Sequence, residues 1–130
     1  MNILLDTHVL IWWMQGSGRL GSRAKAEMFE PGARLWLSAA SVWEMAIKSV
    51  AGRLTLNTPL DASISFLVKQ GFRSLPISTR HALAAGALPL HHSDPFDRML
   101  IAQAQCEDLV LATVDSAISP YDVRTLDASR

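Results

Sequence analysis

The sequence lacks several features that would place it outside the cell interior or in a membrane. It contains one cysteine, Cys106, which excludes an internal disulfide and a metal site built from several thiolates. No apolar run reaches the roughly 18 to 20 residues that a membrane-spanning helix needs. Lysine and arginine together number 12, as do aspartate and glutamate. The chain therefore lacks the net positive charge of proteins that bind nucleic acids through their overall charge. We therefore expect a cytoplasmic protein with no membrane partner.

Size and composition predict a single domain over residues 1–130. Apolar residues make up 49% of the chain and charged residues 18%, and no low-complexity or repeated segment divides it. A chain of this length can bury one core but has no room for two. The apolar N-terminal segment is interrupted by Asp6 and His8, which argues against a signal peptide and for a first strand followed by a helix.

Short apolar runs alternate with helical segments along the chain. Strands are predicted at Asn2–Leu5, Leu35–Leu37, Phe72–Ile77, Leu109–Ala112 and Val123–Leu126. Helices are predicted at His8–Met14, Arg23–Glu30, Ala39–Ala51, Leu60–Gln70, Ser78–Gly86 and Pro95–Glu107. Because the strands are continuously apolar and alternate with helices, we predict an α/β fold of three α/β/α layers with a mainly parallel central sheet.

Four acidic residues lie where predicted strands end or the following helices begin. Asp6 directly follows the first strand, and Asp115 lies just past the fourth. Glu44 lies within two turns of the helix after the second strand, and Asp97 lies in the first turn of the last long helix. Ligands of a parallel sheet collect outside the carboxyl ends of its strands. The four carboxylates are therefore expected to share one edge of the sheet.

Each acid taken alone also has a purely structural interpretation. Asp6 could cap the first helix, and Asp115 could be an ordinary turn residue. Glu44 could complete a capping box with Ser41 or form an ion pair with Lys48. These alternatives stay open at the level of the sequence.

Asp94 and Asp97 stand close together but receive different interpretations. Asp94 precedes a proline that suits the first helical position, so Asp94 is expected to cap the helix. Asp97 shares a helical face with Leu100, Ile101 and Ala104, which directs it toward the sheet. Several carboxylates meeting there would repel one another unless a cation joined them. Hard oxygen ligands predict Mg²⁺ or Mn²⁺.

Four sequence blocks span nearly the whole chain. They are LLDTHVLIWW at the start, LSAASVWEMAIK in the middle, and HHSDPFDRMLIAQA and LVLATVD toward the end. In this order they resemble the PIN-domain ribonucleases and, among them, the VapC-type toxins of bacterial toxin-antitoxin pairs. By motif, the family's four acids fall on Asp6, Glu44, Asp97 and Asp115, which would be the catalytic and metal-binding residues.

The resemblance implies an endoribonuclease that hydrolyses RNA phosphodiester bonds with Mg²⁺ or Mn²⁺. It also implies a homodimer and a cognate, VapB-like antitoxin that silences the enzyme. Asp94 and Thr113 are candidates for supporting hydrogen bonds around the site. Arg98 and Lys48 are candidate contacts to the RNA backbone. His91 and His92 are interpreted as loop residues, because no cysteine and no suitably spaced third histidine completes a zinc site.

Three other functions compete with this hypothesis. A catalytically silent PIN-fold module for interaction or dimerisation is the main alternative, but it predicts missing acids, whereas all four are present. A haloacid-dehalogenase-like phosphatase needs a second aspartate two residues after Asp6, where His8 stands. A receiver domain needs paired N-terminal acids and a late lysine, which this chain lacks.

Overall fold

Five short strands form one parallel sheet at the centre of the protein. The computed structural model describes all 130 residues. The strands are β1 (Asn2–Leu5), β2 (Arg34–Ser38), β3 (Arg73–Leu75), β4 (Val110–Thr113) and β5 (Thr125–Asp127). They lie in the order β3-β2-β1-β4-β5, and every neighbouring pair is parallel.

Six α-helices connect and cover these strands. They are α1 (Thr7–Gln15), α2 (Ser22–Met28), α3 (Ala39–Val50), α4 (Leu60–Lys69), α5 (Thr79–Ala87) and α6 (Pro95–Glu107). A short 3₁₀ turn, Ser116–Ile118, follows β4. None of the helices is both long and apolar enough to cross a membrane.

The central strand β1 shows why helices are needed on both faces of the sheet. Ile3, Leu4 and Leu5 are completely buried, and successive side chains of a strand point to opposite faces. Ile3 and Leu5 belong to one apolar cluster with residues of α1, α2 and α4, whereas Leu4 belongs to a second cluster with residues of α6. The predicted three-layer α/β/α fold with a parallel central sheet is confirmed.

Element boundaries differ from the predictions at a few ends. β3 covers only Arg73–Leu75, because it pairs with just the last residues of β2 and Pro76 has no N–H for the ladder. β5 begins at Thr125 rather than Val123, whose side chain packs on the second apolar cluster. Helix α2 spans Ser22–Met28 and ends two residues before the predicted Glu30.

Helix caps place the ends of the helices that carry the acids. The predicted cap by Asp94 is confirmed: its Oδ1 accepts from Phe96 N–H at 2.8 Å and from Asp97 N–H at 3.2 Å. The capping box of Glu44 with Ser41 is wrong. Helix α3 begins at Ala39, directly after the last residue of β2, so its cap is Ser38. The Ser38 hydroxyl accepts from Ala40 N–H at 3.0 Å.

Candidate metal centre

The carboxyl edge of the sheet gathers the predicted acids around the neighbouring strands β1 and β4. Asp6 follows β1, and its backbone N–H extends the ladder by donating to Ala112 at 3.0 Å. One carboxylate oxygen of Asp6 accepts from Val9 N–H at 2.9 Å, so Asp6 also caps α1. The side chain is 4% exposed. Asp6 is thus a helix cap and a buried acid at the strand end at once.

Burial of the Asp6 side chain disfavours its charged form. Burial raises the pKa of Asp6 above its ordinary value, and the nearby charge of Asp115 acts in the same direction. Hydrogen bonds from the Thr113 hydroxyl and Val9 N–H oppose this rise in pKa. The Thr113 hydroxyl therefore lies beside the Asp6 carboxylate.

Asp97 lies in the first turn of α6 and is the most perturbed of the acids. Burial, followed by the charge of Asp94, raises the pKa of Asp97 to about 7. Asp6 and Glu44 also raise it, whereas His92 lowers it. Asp6 and Glu44 are therefore near enough for their charges to act on the Asp97 carboxylate.

Asp115 completes the cluster from the loop after β4. Its Oδ1 accepts from Ala117 N–H at 2.9 Å and caps the 3₁₀ turn, so the turn interpretation also holds. Its Oδ2 lies 2.8 Å from His92 Nε2. Burial acts to raise the pKa of Asp115, but the bonds from Ala117 and His92 hold it below its ordinary value.

His92 is a member of this cluster that sequence reasoning missed. Its Nε2 lies 2.8 Å from Asp115 and 3.0 Å from Asp97. The ligand atoms of these three residues lie within 4.8 Å of one another, close enough for one metal ion. Burial acts to lower the pKa of His92, but the bond to Asp115 and the charges of both acids raise it overall. The only sequence signal was its place two residues before the cap of α6.

Glu44 approaches from α3 and has one satisfied and one unsatisfied oxygen. Its Oε2 forms the predicted ion pair with Lys48 Nζ at 2.8 Å. Its Oε1 is buried and has no hydrogen-bond partner, the one such side-chain atom in the protein. An unpaired buried carboxylate oxygen is costly, and a cation would satisfy it. The donor set of carboxylate oxygens therefore fits a hard divalent ion such as Mg²⁺ or Mn²⁺.

Arg98 does not point its donors at solvent. Its guanidinium donates to the carbonyl oxygens of Ala85, Leu88, Pro89 and His92 at distances of 2.9 to 3.3 Å. These bonds occupy its donors in holding the loop before α6, which argues against the predicted contact of Arg98 with RNA phosphates. Lys48 remains beside the acids and is partly exposed.

A groove at the opposite edge of the sheet offers no comparable chemistry. It has a volume of about 540 Å³ and is lined by Trp13, Phe29 and Phe72, with Arg34 and Arg73 at the starts of β2 and β3. It contains no acidic residue. The residues that could hold a metal ion lie instead at the carboxyl edge.

Known proteins are similar to this chain in sequence and in fold. The PIN domain family matches residues 3–123. The chain is 33% identical over 120 residues to Ribonuclease VapC22 of Mycobacterium tuberculosis, covering 92% of this chain and 91% of that protein.

Solved structures with the same fold include two VapBC structures. VapBC2 from Rickettsia felis, bound to a promoter DNA fragment, has a TM-score of 0.73 at 10% identity and covers 97% of this chain and 98% of that one. VapBC-1 from nontypeable Haemophilus influenzae has a TM-score of 0.66 at 20% identity, with all of both chains covered. From the family match over residues 3–123 and the 33% identical relative, the chain belongs to the PIN domain family.

Proposed function

We propose that this chain is a divalent-metal-dependent endoribonuclease and the toxin of a toxin-antitoxin pair. The observation that carries the proposal is a cluster of acids whose negative charges are not balanced by cations. Glu44 Oε1 is buried without a hydrogen-bond partner, and the pKa of Asp97 is raised to about 7. A ribonuclease among its relatives supports RNA as the substrate.

Asp6, Asp97 and Glu44 would hold the cation directly or through water, and Asp115 would support a second ion or a water. When bound, a divalent ion supplies positive charge that stabilises the transition state of phosphodiester hydrolysis and helps to activate the attacking water. Either Mg²⁺ or Mn²⁺ suits the oxygen ligands.

The other polar residues of the site orient these acids. Asp94 fixes the first turn of α6 and so sets the direction of Asp97. The Thr113 hydroxyl bonds to the Asp6 side chain and accepts from Asp115 N–H at 3.0 Å, and so links two of the acids. Lys48 holds Glu44 and is the remaining candidate for a contact with an RNA phosphate.

A VapB-like antitoxin and a second copy of this chain are the proposed protein partners, in the cytoplasm. A third structural relative, from Klebsiella pneumoniae, is a toxin-antitoxin complex. Trp43 and Val50 of α3 are 62% and 92% exposed, and exposed apolar side chains suit contacts with another protein. We also propose that residues 1–130 act as one domain.

Cleavage of RNA by the purified, antitoxin-free chain tests the enzyme. Mg²⁺ or Mn²⁺ should support cleavage and EDTA should abolish it. Asp6→Asn and Asp97→Asn should lose cleavage, whereas Asp122→Asn, a change of an exposed acid outside the cluster, should keep it. Cleavage that persists in EDTA, or full activity of Asp6→Asn, would reject the mechanism.

A further inference from the structure

The loop that carries His92 is held by Arg98 from one side. The guanidinium Nη2 donates to Ala85 O at 2.9 Å and Leu88 O at 3.0 Å, and Nη1 donates to Pro89 O at 2.9 Å and His92 O at 3.3 Å. Four carbonyl oxygens, from the end of α5 and the loop that follows it, are thus satisfied by a single side chain. Arg98 directly follows Asp97, so the loop is tied to the turn that carries this acid.

Tyr121 holds the same loop from the other side. Its hydroxyl accepts from His91 N–H at 3.1 Å and His92 N–H at 2.8 Å, and it donates to Pro89 O at 2.7 Å. The side chain of Tyr121 is 6% exposed. The hydroxyl therefore has all its hydrogen-bonding capacity in the loop. The position of His92 is consequently fixed by the fold before any ligand binds.

The hydrogen bonds of His92 define which ring nitrogen carries a hydrogen. Its Nδ1 accepts from Asp94 N–H at 3.2 Å, so in the neutral ring the hydrogen lies on Nε2. Nε2 faces Asp115 Oδ2 at 2.8 Å and Asp97 Oδ2 at 3.0 Å. Nε2–H is therefore a donor shared by two carboxylates. A nitrogen that carries this hydrogen has no lone pair for a metal.

The two carboxylates that His92 joins come from separate parts of the chain. Asp97 belongs to the first turn of α6, and Asp115 lies in the loop after β4. Their like charges repel, and no hydrogen bond or ion pair other than that through His92 connects the two side chains. His92 therefore brings these two acids together.

We propose that His92 is a positioning residue of the metal centre. Through Nε2–H it holds Asp97 and Asp115 at the spacing needed to bind the ion, and Arg98 and Tyr121 fix the loop that presents it. His92 is not itself a metal ligand. This inference rests on the proposed function in one respect, that the acidic cluster binds a divalent ion.

Binding of Mn²⁺ to the full chain, measured by electron paramagnetic resonance, tests the proposal. His92→Ala is expected to weaken Mn²⁺ binding about 10- to 100-fold, as loss of a hydrogen-bond partner of metal ligands typically does. His92→Gln retains an N–H donor of similar reach and should recover most of the affinity. Tyr121→Phe removes only the support of the loop and should have a smaller effect in the same direction.

The matched control is His91→Ala, which removes the exposed neighbouring imidazole with its edge contact to the Tyr121 ring and leaves the backbone bond to the Tyr121 hydroxyl in place. It should bind Mn²⁺ like the wild type. Thermal unfolding of each variant without metal separates loss of binding from loss of fold. Recovery in His92→Gln is a result that a purely structural role for the ring would not give.

Two results would overturn the proposal. One is unchanged Mn²⁺ affinity in folded His92→Ala. The other is a pulsed-resonance signal of nitrogen bound directly to Mn²⁺ in the wild type that disappears in His92→Ala, which would make His92 a ligand.

RNA cleavage separates this inference from the proposed function. If the wild type binds Mn²⁺ through the acids, with the His92 effects above, but cleaves no RNA, the nuclease proposal fails and the positioning role stands. If the wild type cleaves RNA and His92→Ala binds Mn²⁺ equally well, the positioning role fails and the nuclease stands.

Discussion

Replacing Asp97 with asparagine is expected to stabilise the metal-free protein. In the absence of a cation, Asp97 lies close to Asp6, Asp94 and Glu44, and burial together with these charges raises its pKa to about 7. Asparagine has nearly the same shape, keeps an oxygen that can accept from His92 and carries no charge. The substitution therefore removes repulsion while leaving the packing of α6 intact.

The size of this stabilisation follows from the difference between the pKa of Asp97 in the folded protein and its ordinary value. The pKa rises from an ordinary 3.8 to about 7, which at about 1.4 kcal/mol for each tenfold change sets an upper limit of about 4 kcal/mol. The side chain is 22% exposed, so solvent screening reduces the gain to about 1 to 2 kcal/mol. For a chain of this size, that gain raises Tm by roughly 3 to 8 °C.

The gain depends on pH with a defined sign. Because the pKa of Asp97 is higher in the folded than in the unfolded chain, the folded state binds the extra proton between about pH 4 and pH 7. The stability of the wild type therefore falls as pH rises through this window. His92 acts in the same direction, because folding raises its pKa above the ordinary 6.5. Its contribution to stability is complete below pH 6.5 and is lost as the pH rises through the raised pKa.

Thermal unfolding of wild type and Asp97→Asn at pH 4 and pH 8, with EDTA or with Mn²⁺, is the assay. The advantage of the variant should be small at pH 4 and full at pH 8. Mn²⁺ at 100 times its Kd should stabilise the wild type by about 2.7 kcal/mol and the variant by much less. Asp122→Asn, a matched change outside the cluster, should follow the wild type throughout. A metal-free Asp97→Asn protein that is less stable than the wild type at pH 8 would refute the electrostatic reasoning.

Three further substitutions have defined outcomes. Glu44→Gln should lower metal-dependent RNA cleavage roughly 100-fold, because a charged ligand is lost while its shape remains; near-normal turnover would remove Glu44 from the site. Gln103→Ala should lower the free energy of unfolding by about 2 to 4 kcal/mol in urea denaturation, because fully buried Gln103 accepts from Ser38 at 2.6 Å and donates to Pro76 O at 3.3 Å. Arg98→Met should lower the stability by about 2 to 3 kcal/mol through its lost carbonyl bonds; a fully stable variant with weakened RNA binding would instead support the phosphate role.

Much of the site could be predicted because it depends on local patterns. The apolar runs and helical spacings defined nearly every element, and the Asp94 cap with the following proline placed the start of α6 correctly. Parallel strands joined by helices bring their carboxyl ends to one edge. Acids that follow strands or begin helices, such as Asp6, Asp97 and Asp115, therefore lie at this edge. The order of the strands, which places β1 beside β4, brings Asp6 and Asp115 close together.

The sequence alone thus determined the fold class, the family and the edge of the sheet where the acids gather. Only the tertiary structure decided that His92 joins two of those acids, that Arg98 faces carbonyl oxygens instead of solvent, and that one oxygen of Glu44 is left unpaired. The physical reason is that helices and strands leave a repeating signal in neighbouring residues. The partner of a loop side chain lies far along the chain and is fixed only when the helices and strands pack against one another.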